Sequence, residues 1–490
     1  MRRKIFSLLL VLITILVCIV GVNTLLFRSQ QMELTQIAPQ DLPDSVAERL
    51  GGAVRIPTVS YDNDSLVDYQ QFAVLYAYLQ KSFPRVHRTL THQIVGKHSV
   101  LYKWEGSDPK LLPMVLAGHL DVVPVQEVDL EHWEHPPFSG LVADSAIWGR
   151  GTVDDKGAVV GLLEAVDLLL KQGFTPQRTV YLSFGYDEET HSRGARDLVQ
   201  YLVSQKIRAD FVMDEGLVIT RGLVPGVTKD VAMIGIAEKG NLSLELRASI
   251  EGGHSSMPAE ETAIEVLATA ILRIRAHSFE PEISLPISQF MNKIGPELPW
   301  VTKMAFANRW LFKPIIYSVY KAAPSSSSLV ETTVVPTIFN AGLKENAIPT
   351  EARAVVNIRL LPGLTLNQAR GYISDAISDK RIQVRDLGDP SEATVVSSAE
   401  SHGYHAIEKS IRELSPNILV APSLMVAYAD ARYYTAISDN VYRFYPVTFN
   451  ADELNMLHGS NEHITLAKYF QSIQYYYGII KNGSQARLEL

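Results

Sequence analysis

Apolar and polar residues alternate with the periods of strands and helices from about residue 113 onward. Met114 to Ala117 and Thr179 to Phe184 are short apolar runs, and Gly157 to Lys171 repeats apolar residues at helical spacing. A second helix is predicted near Ala195 to Leu202, and a third strand at Ala209 to Met213. Strands that alternate with helices are typical of an α/β fold, in which helices flank a mostly parallel sheet.

The pattern changes at about residue 240 and returns after about residue 395. The residues between predict a small α+β domain, with a strand at Leu242 to Ile250, a helix at Ile264 to Ile274, paired antiparallel strands at Thr332 to Phe339 and Ala352 to Leu360, and a helix at Leu366 to Ile377. After this domain the α/β pattern resumes and ends in a helix near Ile464 to Ile480. We therefore expect a smaller domain that is inserted into the first one.

The N-terminus is apolar enough to cross a membrane. Residues 5 to 27 are almost wholly apolar, and a stretch of about 20 such residues spans the hydrocarbon layer. Three basic residues precede it and only Arg28 follows closely, so the positive-inside rule places the rest of the chain on the non-cytoplasmic side. A cleaved signal peptide is the alternative, although no small-x-small cleavage site follows. Cys18, the only cysteine, lies in this segment, which leaves the exported part without a disulfide or a thiol nucleophile.

The length of the chain limits the number of domains, and its charge limits the classes of partner. The chain has 490 residues, enough for two or three domains. We predict a transmembrane anchor at 1–28, a tether at 29–44, a main domain in two parts at 45–239 and 391–490, and an inserted domain at 240–390. The net charge is −8 and no long run of like charges occurs, which argues against nucleic acid as a partner.

Residues 278 to 330 form an unusually apolar segment within the predicted insert. Its large apolar residues are Trp300, Phe306, Trp310, Phe312, Ile315, Ile316, Tyr317 and Tyr320. Arg309, Lys313 and Lys321 are interleaved with them. Packing inside a lid, a dimer face, a groove for an apolar substrate and contact with a bilayer surface all remain open for this segment.

A histidine and several carboxylates follow the predicted strands of the main sheet. His119 and Asp121 come at the end of the first strand, where an imidazole can bind a metal and a nearby carboxylate can hold its second ring N–H. Acidic pairs or triplets follow at Asp154-Asp155, Asp187 to Glu189 and Asp214-Glu215. Helix capping or a structural His–Asp pair would explain any one of these motifs alone. Their common position at one rim of the sheet favours a metal site.

Two further histidines have polar or glycine-rich neighbours. His458 lies in the sequence His-Gly-Ser-Asn-Glu near the C-terminus, and we expect it to be the distant partner of the acidic residues. His254 lies in Gly-Gly-His-Ser-Ser within the insert, where flanking glycines indicate a movable donor rather than a core residue.

In this order, the motifs resemble the family of di-zinc metallopeptidases that includes carboxypeptidase S, aminoacylase, acetylornithine deacetylase and the bacterial glutamate carboxypeptidases. The likeness covers about residues 45 to 485. Val355 to Gly363, Tyr442 to Pro446 and the apolar insert resemble the branch of carboxypeptidase S and the N-fatty-acyl-amino-acid synthase/hydrolases most. The resemblance implies that the insert acts as a lid or dimerisation domain, and it leaves a homodimer through the insert open.

The resemblance also implies a role for each motif residue. His119 and Asp214 would hold one Zn²⁺, Glu189 and His458 would hold a second, and Asp154 would bridge the two. Mn²⁺ or Co²⁺ would also suit this mixed nitrogen and oxygen ligand set. Asp121 would orient His119, Glu188 would be the general base, and His254 would reach the substrate carbonyl, in relatives often across a dimer.

The expected reaction is hydrolysis of an amide bond next to a free carboxylate. Arg432 or Arg359 would hold that carboxylate. A small peptide and an N-acyl amino acid are both candidate substrates. Residues 427–430 are Ala-Tyr-Ala-Asp where many relatives have Gly-x-Thr-Asp, and the bulky Tyr428 in this stretch makes the family's substrate preference a poor guide here. The rival class is a non-catalytic exported protein that only binds metal or ligand.

Overall fold

The computed structural model describes residues 2–257, 259–277 and 279–488. Its α-helices are α1 (Arg2–Leu26), α2 (Val46–Val54), α3 (Gln70–Ser82), α4 (Pro84–Thr89), α5 (Lys156–Lys171), α6 (Arg193–Ser204), α7 (Ala263–Ala276), α8 (Leu285–Ile294), α9 (Trp300–Ala307), α10 (Arg309–Tyr320), α11 (Pro324–Val330), α12 (Leu366–Ile377), α13 (His402–Leu414), α14 (Ala451–Leu454) and α15 (Leu466–Gly483).

The described strands are β1 (Thr91–Val95), β2 (Ser99–Trp104), β3 (Met114–His119), β4 (Leu141–Ala143), β5 (Ala146–Trp148), β6 (Val180–Gly185), β7 (Phe211–Thr220), β8 (Val231–Glu238), β9 (Gly240–Ser249), β10 (Gly253–His254), β11 (Thr333–Ala341), β12 (Ala347–Ile348), β13 (Glu351–Leu360), β14 (Ile382–Ser391), β15 (Leu419–Met425), β16 (Val441–Phe449) and β17 (His463–Thr465).

The main sheet has the order β1-β2-β6-β3-β7-β16-β8-β15. Strand β3 lies parallel to β6 and β7, β16 lies parallel to β7, and β15 lies parallel to β8. Strands β1 and β2 add antiparallel pairs at one edge. Every residue of β3, β6, β15 and β16 is buried, as expected for strands with both faces covered. The mostly parallel α/β sheet predicted from the sequence is confirmed.

Helices cover both faces of this sheet. Helices α5 and α15 pack in the larger core, while the buried residues of α6 and of residues 429–437 form a core on the opposite face. The parallel strands β3 and β6 end next to each other, with His119 paired to Gly185. The loops that follow them therefore emerge at the same edge of the sheet, where open α/β sheets bind their ligands.

A second, antiparallel sheet has the order β11-β13-β9-β14 and its own apolar core. Helices α7 and α12 pack in that core. Both helices begin with a capping box, in which Thr262 and Glu265, or Thr365 and Gln368, satisfy each other's backbone N–H groups. The elements predicted at Leu242 to Ile250, Thr332 to Phe339 and elsewhere in this unit are confirmed, with shifts of a few residues at their ends.

Helices α8 to α11 pack on the main sheet rather than on the second one. Met291 of α8 shares a buried cluster with Leu424 of β15, and Ile294 shares another with Leu419. The apolar segment thus covers the edge strand of the main domain, although its sequence position lies between elements of the second sheet. The large apolar side chains of α8 are buried against apolar residues of β15, and this burial is more favourable than exposure of both surfaces to water.

Helix α1 is long and apolar enough to cross a membrane by length and composition. The segment after it is hydrogen-bonded to the main domain. Gln31 donates to the carbonyl of Val420 (3.0 Å) and accepts from its N–H (2.8 Å), and the N–H of Ile37 donates to the carbonyl of Glu413 (2.8 Å). The residues predicted as a tether therefore follow the surface of the main domain.

Candidate metal centre

Asp121 joins the two loops that follow β3 and β6. Its buried carboxylate accepts hydrogen bonds from the N–H groups of Glu188 (3.1 Å) and Glu189 (3.2 Å) and from the hydroxyl of Ser60 (2.6 Å). The carbonyl of Asp121 lies 3.0 Å from Nδ1 of His119. An Nδ1–H that donates to this carbonyl leaves Nε2 of His119 free to bind a metal.

Asp154 lies between two histidines. Its Oδ1 is 2.9 Å from Nε2 of His119, and its Oδ2 is 3.1 Å from Nε2 of His458. The same nitrogen of His458 lies 3.2 Å from Oε2 of Glu189. One ligand atom each from His119, Asp154 and Glu189 lie within 4.8 Å of one another, close enough to share a metal ion. His458 is far from Asp154 and Glu189 in the sequence, but the fold places it next to both of them.

Asp214 is brought to the same region by an irregular strand. The sequence predicted a strand that ends at Met213, but β7 runs on to Thr220. Its pairing with β16 shifts register after Asp214, and Gly216 adopts a φ of +143°, which favours glycine. A side chain at Gly216 would also meet the Cβ of Arg443 at 2.7 Å. This irregularity directly follows Asp214 and Glu215. Glu215 lines the cavity beside the site, and Asp214 is near enough to His119 for their charges to interact.

The site carries more buried negative charge than its protein groups compensate. Burial raises the pKa of Asp214 to about 6, and it raises the pKa values of Glu188 and Glu215 well above their usual range with help from neighbouring carboxylates. Hydrogen bonds to Asp154 and Glu189 raise the pKa of His458 to about 10. Such crowding of carboxylates is expected where a cation belongs.

Two buried oxygens at the site have no hydrogen-bond partner among the described residues. They are Oδ2 of Asp214 and Oε1 of Glu189. Buried polar atoms are nearly always satisfied in folded proteins, so unpaired oxygens mark places where another ligand binds. The histidine nitrogens and carboxylate oxygens together form a donor set that suits zinc. The residues present therefore fit a divalent metal.

A buried ion pair that sequence reasoning missed connects the loops of Asp154 and His458. Nη1 of Arg150 donates to Glu462 (2.5 Å), and Nη2 of Arg150 donates to the carbonyl of His458 (3.1 Å). The other oxygen of Glu462 accepts from the N–H groups of Gly151 and Val153, at 2.9 Å each. Glu462 ends the His-Gly-Ser-Asn-Glu motif singled out in the sequence, but its pairing with Arg150 across 312 positions has no local signal.

A cavity of about 990 Å³ opens at the metal centre. Asp154, Glu188 and His458 line one side of it, and Asn241 and Asp389 of the second sheet line another. A space of this size accommodates a ligand larger than a dipeptide, since sites for drug-sized ligands measure roughly 300–1,000 Å³.

The two arginines predicted to bind a carboxylate lie close enough to affect each other. Burial and then the charge of Arg432 lower the pKa of Arg359. Nη1 of each guanidinium is buried without a hydrogen-bond partner among the described residues. The guanidinium of Arg432 lies over the ring of Tyr428, which lines the cavity, at 4.1 Å from the ring centre. Paired guanidinium groups with free N–H donors are typical of a site for an anionic group.

His254 lies exposed, away from the residues described above. It lies on the short strand β10, and its Nδ1 is 2.7 Å from the hydroxyl of Ser256. Within the described ranges no hydrogen bond joins it to the metal centre. Its role at the substrate carbonyl stays a prediction.

The sequence model of peptidase family M20/M25/M40 matches residues 115–482. The chain belongs to this family. Other M20 relatives are similar over most of their length: probable carboxypeptidase S-like 2 of Dictyostelium discoideum is 38% identical over 96% of this chain and 92% of the relative. The N-fatty-acyl-amino acid synthase/hydrolase PM20D1 of Homo sapiens is 34% identical over 90% of this chain and 88% of the relative.

The M20 fold is also evident in solved structures. The M20 family metallo-carboxypeptidase Sso-CP2 from Sulfolobus solfataricus superposes with a TM-score of 0.66 and 18% identity, over 90% of this chain and 100% of that one. The resemblance stated from the sequence motifs is therefore confirmed. The protein is an M20 metallohydrolase of the metallopeptidase and amidohydrolase class, with relatives named for carboxypeptidase S and for N-fatty-acyl-amino acid hydrolysis.

Proposed function

We propose that this M20 protein is a zinc-dependent hydrolase that cleaves an amide bond next to a free carboxylate. The observation that carries the proposal is Asp154, whose two oxygens face His119 and His458 from opposite ends. A carboxylate that faces two separate imidazoles is suited to bridge two metal ions. The cavity beside it provides room for substrate.

In the proposed arrangement, His119 and Asp214 hold one zinc ion, and Glu189 and His458 hold the other. The unpaired oxygens of Asp214 and Glu189 support this division, because each lacks a protein partner among the described residues. When bound, two divalent ions polarise the scissile carbonyl and lower the pKa of water. Asp121 orients His119 through Nδ1 and holds the loop of Glu188 through its backbone N–H.

Glu188 is the proposed general base. It lines the cavity next to Asp154 and Glu189, and its N–H is held by Asp121, so its backbone is fixed while its carboxylate faces the substrate space. As a carboxylate it takes a proton from water and then gives it to the leaving amine. Burial raises its pKa, which makes it a stronger base than an exposed glutamate.

Arg432 and Arg359 are the proposed partners of the substrate carboxylate. The free buried N–H donors of both guanidinium groups support this assignment, as does the contact of Arg432 with Tyr428, which lines the cavity. The acyl side of the substrate is a peptide residue or a fatty acyl chain, and the names of the two relatives include both chemistries. The second sheet is the proposed lid, since Asn241 and Asp389 close one side of the cavity. Its exposed His254 is available to a second copy in a homodimer.

Turnover by the purified full chain tests this function. The substrates are a dipeptide and a long-chain N-acyl amino acid with the same C-terminal residue, each with added zinc. We expect metal removal to abolish turnover and Glu188→Gln to lower kcat by about 10²–10⁴-fold with zinc still bound. Glu131→Gln, at an exposed position, is the matched control. Zinc binding by the wild type without turnover of either substrate would favour the non-catalytic binding protein instead.

Helix α1 is proposed to remain as a single-pass anchor, with the rest of the chain on the non-cytoplasmic side. The support is structural: Thr24 is fully buried, and Asn23 and Asn308 are hydrogen-bonded to each other, so removal of the helix would expose a paired surface. The mass of the mature protein tests this, because a cleaved signal peptide would shorten it by more than twenty residues.

A further inference from the structure

The turn between α9 and α10 is attached to the outer end of α1. Asn308, which separates the two helices, is fully buried. Its Nδ2 donates to the carbonyl of Val20 (3.2 Å), and its Oδ1 accepts from Nδ2 of Asn23 (2.9 Å). Gly295 lies against the ring of Phe27, where a Cβ would come within 2.5 Å of the ring. Polar bonds and close packing therefore fix the height of α9 and α10 along α1.

That height is at the level of a bilayer surface if α1 spans the membrane. A hydrocarbon layer of about 30 Å takes about 20 helical residues at 1.5 Å each. Counted from the last basic residue, Lys4, those residues end at Thr24. Asn308 contacts Val20, about four residues and so about 6 Å inside that boundary. The turn would then lie below the outer edge of the hydrocarbon layer.

The helices at this level are apolar on the side that faces away from the protein. In α10, Ile316 is buried against the main domain, while the neighbouring stripe of Leu311, Ile315 and Val319 is exposed. A helix that is apolar both where it packs on the protein and where it is exposed typically contacts another apolar environment, such as a second protein or a lipid bilayer.

Two tryptophans lie on the exposed part of these helices. Trp300 begins α9 and Trp310 lies in the first turn of α10, and more than half of each side chain is exposed. Lys313 lies on the same helix as Trp310, with its amine 5.4 Å from the centre of the Tyr317 ring. Tryptophan, tyrosine and lysine are the side chains that collect where hydrocarbon meets lipid headgroups.

We propose that α9 and α10 dip into the outer leaflet of the bilayer that α1 spans, so that the protein is held by one transmembrane helix and one interfacial helical hairpin. The occupant of the exposed apolar surface is lipid. We choose lipid because the exposed apolar surface is continuous with α1. Lipid that surrounds the last turns of α1 must also contact the side chains packed beside those turns. The inference depends on the anchor proposed above and not on the reaction.

Spin labels in the reconstituted full chain test the proposal. With Cys18→Ser as background, single cysteines are placed at Ile315 and Val319 on the exposed stripe, at Ile13 in mid-span, and at the fully exposed Leu343 as the aqueous control. Each labelled protein is inserted into phosphatidylcholine vesicles. Collision rates with oxygen, which enters lipid, and with a polar nickel complex, which does not, are measured for each label.

We expect the labels at Ile315 and Val319 to show oxygen and nickel collision rates between those of Leu343 and Ile13, because the hairpin enters only the outer part of the hydrocarbon layer. Their collision rate with nickel should be lower than that of Leu343 by about tenfold or more, because hydrocarbon excludes polar solutes. Nickel access equal to that of Leu343 would place the hairpin in water and overturn the proposal. Spin–spin coupling between labels at Ile315 on two chains would overturn it as well and assign the surface to a second copy.

Two internal readings separate the possible failures. A water-exposed label at Ile13 would remove the anchor and the hairpin proposal together, while a lipid-exposed Ile13 with a water-exposed Ile315 would remove the hairpin proposal alone. Turnover of the dipeptide and of the long-chain N-acyl amino acid is measured on the same samples. If the wild type cleaves neither, this result would contradict the hydrolase function without bearing on the depth of the labels.

Discussion

Replacing Glu462 by alanine should weaken the metal centre through residues that do not bind the metal. Glu462 is fully buried and accepts one charged hydrogen bond from Arg150 and three from the N–H groups of Gly151, Val153 and Asp154. Arg150 in turn holds the carbonyl of His458. The variant therefore frees both the turn that ends in Asp154 and the loop that carries His458.

The size of the effect follows from the burial of the pair. Arg150 is 2% exposed, so the substitution leaves a buried guanidinium without its carboxylate. Removal of one partner of a buried ion pair typically costs about 3–5 kcal/mol of unfolding free energy. Loss of groups that orient metal ligands typically lowers metal affinity by about 10–100-fold. We expect both effects in Glu462→Ala.

Zinc affinity and thermal unfolding are measured on the same preparations by competition with a fluorescent chelator and by calorimetry. Glu408→Ala is the matched control. Glu408 is also fully buried, and its ion pair with Lys293 (3.3 Å) joins α13 to α8 rather than two metal-bearing loops. It should lower the melting temperature and leave zinc affinity unchanged.

Unchanged zinc affinity in Glu462→Ala would refute the reasoning, because the loops would then hold their positions without the pair. An equal loss of zinc affinity in Glu408→Ala would also refute it. The loss would in that case reflect general destabilisation rather than the placement of Asp154 and His458.

Three further predictions concern the charges around the site. Asp214→Asn should lower bound zinc by metal analysis and raise the melting temperature of the metal-free protein, since burial raises the pKa of Asp214 to about 6 and makes its charged form costly. Burial lowers the pKa of Lys239 to about 7 from 10.5, so between these values the unfolded chain binds a proton that the folded chain does not. Wild-type stability should therefore rise with pH in this window by up to about 1.4 kcal/mol per unit, and urea titrations of Lys239→Met at pH 7 and 9 should lack the rise. Arg432→Ala should raise KM for substrates with a free carboxylate by about tenfold or more and leave amidated analogues unaffected, because only the former lose a charged hydrogen bond.

The local periodicity of apolar residues predicted much of the secondary structure. The repeat of apolar residues in Gly157 to Lys171 predicted α5 to within one residue, and alternation in Leu242 to Ile250 predicted β9 to within two. Parallel strands follow from their alternation with helices, and with them follows the rim where His119 and Glu189 meet. The residue types, glycine turns and order of the motifs were sufficient to identify the family.

Other features depend on contacts between distant parts of the chain. Asp214 lies within β7 rather than at its end, next to a shift in the register of β7 against β16, and a single strand does not reveal the register of its partner. The composition of the apolar segment does not show whether it packs on the second sheet or on the main one. In the structure it covers the edge strand β15 of the main sheet.

By itself, the sequence determined the α/β character of the main domain, several helices and strands of both sheets, and a first helix that is apolar enough for a bilayer. It also predicted that carboxylates and a histidine follow neighbouring strands at one rim of the sheet. The tertiary structure alone decided that Arg150 pairs with Glu462 and that Asn308 pairs with Asn23. The physical reason is the range of each effect. Hydrophobic periodicity acts between neighbours along the chain, whereas a buried polar group is satisfied by whichever partner the packed fold brings within about 3 Å.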